Sequence, residues 1–161
     1  MIVCDTDILS TFGKVKAIDL LNNLFNKKLI IPYGVYEDLM KAKDAGYDFV
    51  DEILDSVEVI ILNTEEFNEF KEIFEKEKSL HKGEIQGIVI AKHQNILFLT
   101  NDKSAKRYCG ENNILYMDLE EILRAFKKIN ILSNDALENL IDEIERKERT
   151  KIKAKNTILE D

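Results

Sequence analysis

The stretch ILFLTNDKSAK, residues 96–106, decides the fold. Four apolar residues, Ile96 to Leu99, run into Thr100, Asn101 and Asp102, and a lysine-rich segment follows. A short apolar run bounded by polar residues reads as a buried strand. This one ends by delivering a carboxylate. The N-terminus does the same, because IVC (2–4) leads into Asp5-Thr6-Asp7. LII (29–31), VEVIIL (57–62) and ILYM (114–117) also read as buried strands, rich in Ile, Val or aromatic residues. Between them IDLLNNLF (18–25), EEFNEFKEIF (65–74) and EIQGIVIAKH (84–93) carry apolar residues three and four apart, as amphipathic helices do. Strand and helix alternating in this way predict an α/β fold, a parallel sheet with helices on both faces. Pro32, the single proline, follows the second strand where a helix begins.

A chain of 161 residues is long enough for one domain with a real core. Apolar residues make up 45% and charged residues 34%, a globular balance and not a disordered one. The net charge of −8 argues against a nucleic-acid coat protein, which is usually basic. It leaves room for a nuclease, which concentrates acid in its site. No apolar run approaches the roughly 18 residues that span a bilayer. The first residues have no basic region and no cleavage site, so a cytoplasmic protein is expected. Cys4 reads as a small core residue, and neither it nor Cys109 belongs to a zinc-binding pattern.

Residues 1–130 read as the body of the domain, and 131–161 as a C-terminal helix and basic tail of the same domain. The helix opens at Ser133-Asn134-Asp135 and shows a stripe of Leu137, Leu140, Ile141 and Ile144. After Arg146 the stripe fades. From there the tail reads either as a solvated, fraying helix end or as an arm that contacts RNA or a partner.

Parallel strands point the same way, so Asp5 and Asp102 are expected at one edge of the sheet, where ligands collect in such folds. Glu37 and Asp38 fall in the first turns of the helix after the second strand, just above that edge. Val35 and Leu39 mark its buried face, and Asp38, beside Leu39, is the better placed to lean inward. Glu84 shares a helical face with Gly87, Ile88 and Ala91, a face small enough to press on the sheet. Taken singly, each acid reads as a helix cap or a complement to a helix dipole. Gathered at one edge, bare carboxylates repel by about 1 kcal/mol or more per pair, and a divalent cation removes that cost. Oxygen ligands without Cys or His suit Mg²⁺ or Mn²⁺ better than Zn²⁺. Lys103, Lys106 and Arg107 follow Asp102; they either hold a nucleic-acid backbone or form an exposed helix face. His81 and His93 read as surface residues.

The segments CDTDILS, IPYGVYEDL, KGEIQGIVIA and LTNDKSAK, in that order over the first two-thirds of the chain, resemble the PIN-domain family. The likeness is to its prokaryotic branch with a Gly-Glu motif before an apolar helix; VapC-like toxins of toxin–antitoxin pairs are relatives. The resemblance implies a three-layer α/β/α sandwich and Mg²⁺- or Mn²⁺-dependent cleavage of single-stranded RNA. It places Asp5 as first acid, Glu84 as third and Asp102 as fourth, these three as metal ligands, with Thr6 and Asn101 supporting them through hydrogen bonds. The second acid of the family is usually glutamate just before a leucine; here that position is Asp38, and either Asp38 or, by a slight rotation, Glu37 serves. A small antitoxin and a homodimer are the protein partners the likeness implies. Two alternatives stand beside it. IVCDTD has the strand-then-DxD form of a haloacid-dehalogenase-like phosphohydrolase, although Leu9 and TNDKSAK depart from that pattern. The odd second acid also allows a non-catalytic RNA-binding module.

Overall fold

Ile2, Val3 and Cys4 are almost wholly buried, and they form the central strand β1 (Ile2–Cys4). The computed structural model describes residues 1–161. In chain order β1 is followed by α1 (Thr6–Lys14), α2 (Ile18–Phe25), β2 (Leu29–Pro32), α3 (Tyr33–Asp44), α4 (Phe49–Ser56) and β3 (Val57–Ile60). Then come α5 (Thr64–Lys76), α6 (Lys82–Gln94), β4 (Phe98–Leu99), α7 (Lys103–Glu111), β5 (Tyr116–Met117), α8 (Leu119–Lys128), α9 (Asn134–Glu148) and α10 (Lys155–Glu160). All strand pairs are parallel, in the order β3-β2-β1-β4-β5. Val3 faces Ile30 of β2 on one side and Phe98 of β4 on the other.

Alternation along the strands makes two cores. Ile2, Cys4, Leu29, Ile31 and Leu99 point to one face, where α1, α2, α3, α4, α8 and α9 add their apolar residues. Val3, Ile30 and Phe98 point to the other, against α5, α6 and α7. The result is a three-layer α/β/α sandwich, the fold the sequence predicts. No helix is long and apolar enough to cross a membrane.

Three elements differ from expectation. VEVIIL was expected as a fully buried strand, but β3 is an edge strand that stops at Ile60, and Ile61 is 82% exposed. An edge strand has one neighbour, so burial on both faces does not follow from its composition. EIQGIVIAKH was expected to be amphipathic, but α6 is buried on most sides because α3, α5 and α7 pack on it in addition to the sheet. A helix that is apolar around most of its circumference is a core helix. The tail does not fray. α9 ends at Arg149 in a left-handed cap, Ile152 then enters the core, and α10 buries Ile158. Ile152 and Ile158 dock it, with Ala154 and Leu159 packed beside them, and no periodic stripe announces them.

Candidate active site

Asp5 follows β1 directly. Its N–H extends the ladder to the Leu99 carbonyl (3.0 Å), and its Oδ1 accepts the Ile8 N–H (2.9 Å), capping α1. Oδ2 accepts the Thr100 hydroxyl at 2.5 Å. Asp5 is only 3% exposed. Burial pushes its carboxyl up to about 7; the hydrogen bonds from Thr100, Ile8 and the Asn101 backbone pull it down, and the Asp7 charge pushes it up. Asp102 caps α7 through the Ala105 N–H (2.8 Å), and its own N–H donates to Thr100 Oγ1 (3.2 Å). The Thr100 hydroxyl therefore ties both strand-end acids together. They stand where the strand order reverses, between β1 and β4, the place at which open parallel sheets form a crevice.

The helix-borne acids arrive differently. Gly34 of α3 and Gly83 of α6 cross in near contact. A Cβ on Gly34 would lie 2.7 Å from Gln86 Oε1 and 3.0 Å from the Gly83 backbone. The buried Gly34 N–H donates to Gln86 Oε1 at 2.6 Å. Gly87 lies so close to Phe98 of β4 that a Cβ there would stand 2.7 Å from its ring. The first turns of α3 and α6 are thus brought together over the sheet edge. Glu84 reaches back to the His81 N–H (2.9 Å). Burial raises its pKa; that hydrogen bond opposes the shift, and the charges of Asp102 and Asp7 add to it. Asp38 accepts the Thr6 hydroxyl (3.2 Å), and Glu37 pairs with Lys82 (2.7 Å).

Asp5, Thr6, Glu37, Asp38, Glu84 and Asp102 all line one cleft of about 520 Å³, with Val35 the single hydrophobic wall. Asn101 does not line it; its backbone supports Asp5, and its side chain accepts the Leu119 N–H at 3.4 Å. Lys103, Lys106 and Arg107 lie outside it on α7. Lys106 pairs with Asp118 (3.0 Å), and Arg107 makes a long contact with Ser79 (3.5 Å). His81 is exposed, as expected, and stands at the cleft wall with Lys41 and Lys82.

Sequence reasoning missed Asp7 and Thr100. Asp7 lines the cleft, and its pKa is raised by burial first, then by Asp102 and Glu148, with Asp38 adding to the shift. Its signal was its place in the first turn of α1, two residues past Asp5. The signal for Thr100 was register, since Cys4 pairs with Leu99 and the next residues on each strand are Asp5 and Thr100. The Gly34–Gly83 crossing had no signal beyond the glycines themselves.

No three Asp, Glu, His or Cys side chains stand close enough to enclose an ion by themselves. The donors are nevertheless all carboxylate oxygens, and no lysine or arginine pairs with Asp5, Asp7, Glu84 or Asp102. The Asp7 charge adds to the upward shift of Asp5, and the Asp102 charge adds to those of Asp7 and Glu84. An uncompensated oxygen set of this kind fits a hard divalent cation that keeps part of its water shell.

A comparison with curated proteins finds no match. A family model described as a PIN domain, a domain whose members are usually nucleases and generally use divalent metal ions, matches residues 1–160. The chain belongs to the PIN-domain family.

Proposed function

We propose that the protein is an endoribonuclease that cuts single-stranded RNA with Mg²⁺ or Mn²⁺. Asp5, Glu84 and Asp102 would hold the ion, and Asp38 is the second acid. The observation that carries the reading is the cleft at the strand-order reversal, where six carboxylates meet with no cationic partner on five of them. Glu37 is already neutralised by Lys82, whereas Asp38 is held toward the first acid's helix by Thr6; this favours Asp38 over Glu37.

When bound, such an ion lowers the pKa of water and offsets charge on a phosphodiester. The chain's own groups do the rest. Thr100 fixes Asp5 and Asp102 relative to each other, so neither has to reorganise when substrate arrives. Lys41 at the wall attracts the phosphate backbone, and Lys103 and Arg107 extend that attraction along α7, where Lys106 is paired with Asp118. Residues 131–161 belong to the same domain in this reading, through the packing of α9 on α1.

The reading extends to a toxin of a toxin–antitoxin pair acting in the cytoplasm, with a small antitoxin and a second copy of the chain as partners. Support for a protein contact comes from the exposed Phe67 and Phe74, whose rings stack on the half-buried Phe70 at 6.1 and 5.7 Å, with Ile61 also exposed. The open donor set also favours a second reading, a non-catalytic RNA-binding module. The family assignment leaves the phosphohydrolase alternative without support.

The test is cleavage of single-stranded RNA in Mn²⁺ by the wild type beside Asp5→Asn and Asp102→Asn. Cleavage by the wild type and its loss in both variants is expected. Equal cleavage in all three removes the site assignment, and no cleavage by the wild type leaves the binding module.

A further inference from the structure

Two cations of this chain adopt a backbone conformation that they do not favour. Six non-glycine residues have positive φ, and four of them are asparagines, Asn26, Asn95, Asn113 and Asn130. Asparagine tolerates the left-handed region because its short side chain bonds locally. The remaining two are Lys16 (φ 56°), just past α1, and Arg149 (φ 52°), at the end of α9. Though far apart in sequence, they line the same recess of about 710 Å³.

That recess pairs charge with rings. Lys14 and Lys147 add to Lys16 and Arg149, and Tyr47 and Phe49 supply aromatic faces, with ring centroids 5.6 Å apart. Tyr47 is 56% exposed, and the Lys14 ammonium lies 5.8 Å from the Phe49 ring centre. Asp48 and Glu52 also border the recess, and Lys14 is paired with Glu148 at 3.2 Å. Lys16, Lys147 and Arg149 form no ion pair, in a chain whose net charge is −8. Free cations beside an exposed ring are what a single strand needs, phosphate attraction plus a platform for a base.

Position ties the recess to the cleft. Asp7 and Lys14 are seven residues apart on α1 and so share one of its faces. Lys14 lies roughly 10 Å along the axis from Asp7, about the rise of three stacked nucleotides. The Lys14 charge reaches Asp7 and opposes the upward shift that burial gives it.

We propose that this recess binds single-stranded nucleic acid, taking the strand where it leaves the acidic cleft. Lys16, Lys147 and Arg149 hold phosphates and Tyr47 stacks on a base. This rests on the nuclease reading for its direction, but the binding it describes needs no turnover.

The experiment uses the full chain in EDTA, where no metal-dependent cutting occurs, and a labelled oligouridylate of about 12 nucleotides, within the usual span of such surfaces. The variant is Lys16→Asn/Arg149→Asn, which removes two charges and puts asparagine where four other turns already have it. Its thermal midpoint should equal or exceed that of the wild type. Its affinity should fall roughly tenfold, and the slope of log K against log salt should flatten by about 1.4. Tyr47→Ala should weaken binding about fivefold or more and leave the slope unchanged. Lys71→Asn/Lys76→Asn, the same charge change on α5, is the control and should bind like the wild type. If Lys16→Asn/Arg149→Asn binds no worse than this control, or the wild type does not bind at all, the proposal is overturned. Cleavage in Mn²⁺ is scored separately. RNA cutting with an indifferent recess rejects this surface alone, and recess-dependent binding without cutting rejects the nuclease reading alone.

Discussion

The acids of the cleft reach it by two routes. Asp5 and Asp102 stand at the ends of neighbouring strands, each capping the helix that follows and both touching Thr100. Asp38 and Glu84 ride on helices, and their approach depends on how closely Gly34 and Gly83 let α3 and α6 cross. The strand-end pair is held by the sheet ladder. The helix pair is held by side-chain packing, which a single methyl can disturb. Placement by ladder is robust and readable; placement by crossing is adjustable and hidden.

Activity should separate the two routes most sharply. Asp5→Asn or Asp102→Asn should lower RNA cleavage by on the order of 10³-fold, the scale of losing one preorganised charged group. Asp38→Asn should cost less, about tenfold to 10²-fold, and Glu37→Gln little, since its exposed pair with Lys82 contributes about 0–1 kcal/mol. Single-turnover rates in Mn²⁺ check this ranking, and a Glu37 loss equal to that of Asp5 would reverse the assignment of the second acid.

Packing should give the next largest effect. Gly34→Ala places a methyl 2.7 Å from Gln86 Oε1 and 3.0 Å from the Gly83 backbone. Overpacking of this kind costs about 1–3 kcal/mol. Urea denaturation should show that loss, and cleavage should fall with it as Glu84 and Asp38 move away from the strand-end acids. Unchanged stability would show that the crossing is looser than described.

A pH titration sharpens the comparison from the strand side. Burial raises the Asp5 pKa from 3.8 to about 7 in the folded chain. Between those values the folded state holds a proton that the unfolded state has lost. Without metal, stability is therefore highest below the unfolded value and falls as pH rises through about 7, by up to a few kcal/mol. Asp5→Asn should flatten this dependence and be at least as stable as the wild type at neutral pH. Chemical denaturation at several pH values in EDTA decides it.

The smallest effect belongs to Thr6. Thr6→Val removes the 3.2 Å bond to Asp38 at a solvent-exposed position. Cleavage should fall by about threefold, with no measurable loss of stability, as expected for one exposed hydrogen bond.

Legibility followed the same divide. A short apolar run ending in acid is a local pattern, so Asp5 and Asp102, the parallel sheet and the helices on its two faces could all be read from it. The first turn of α6 was readable because Glu84 sits beside Gly87 on a face of small residues. Thr100 required the β1–β4 register, which no local pattern carries. Asp7 looked like an ordinary first-turn acid complementing the α1 dipole. The docking of Ile152 and Ile158 was hidden because apolar residues so scattered show no period. Lys106 looked like a free cation, and only the fold brings Asp118 to it.

If the cleft acids share one divalent cation, as proposed, Mn²⁺ binding reveals it without any knowledge of the RNA. Thermal unfolding should be followed as Mn²⁺ is raised, for the wild type and for Asp5→Asn/Asp102→Asn. The wild type should be stabilised by about 2.7 kcal/mol at a hundredfold excess over its dissociation constant, and the double variant should not respond. An identical response of the two proteins would contradict the claim.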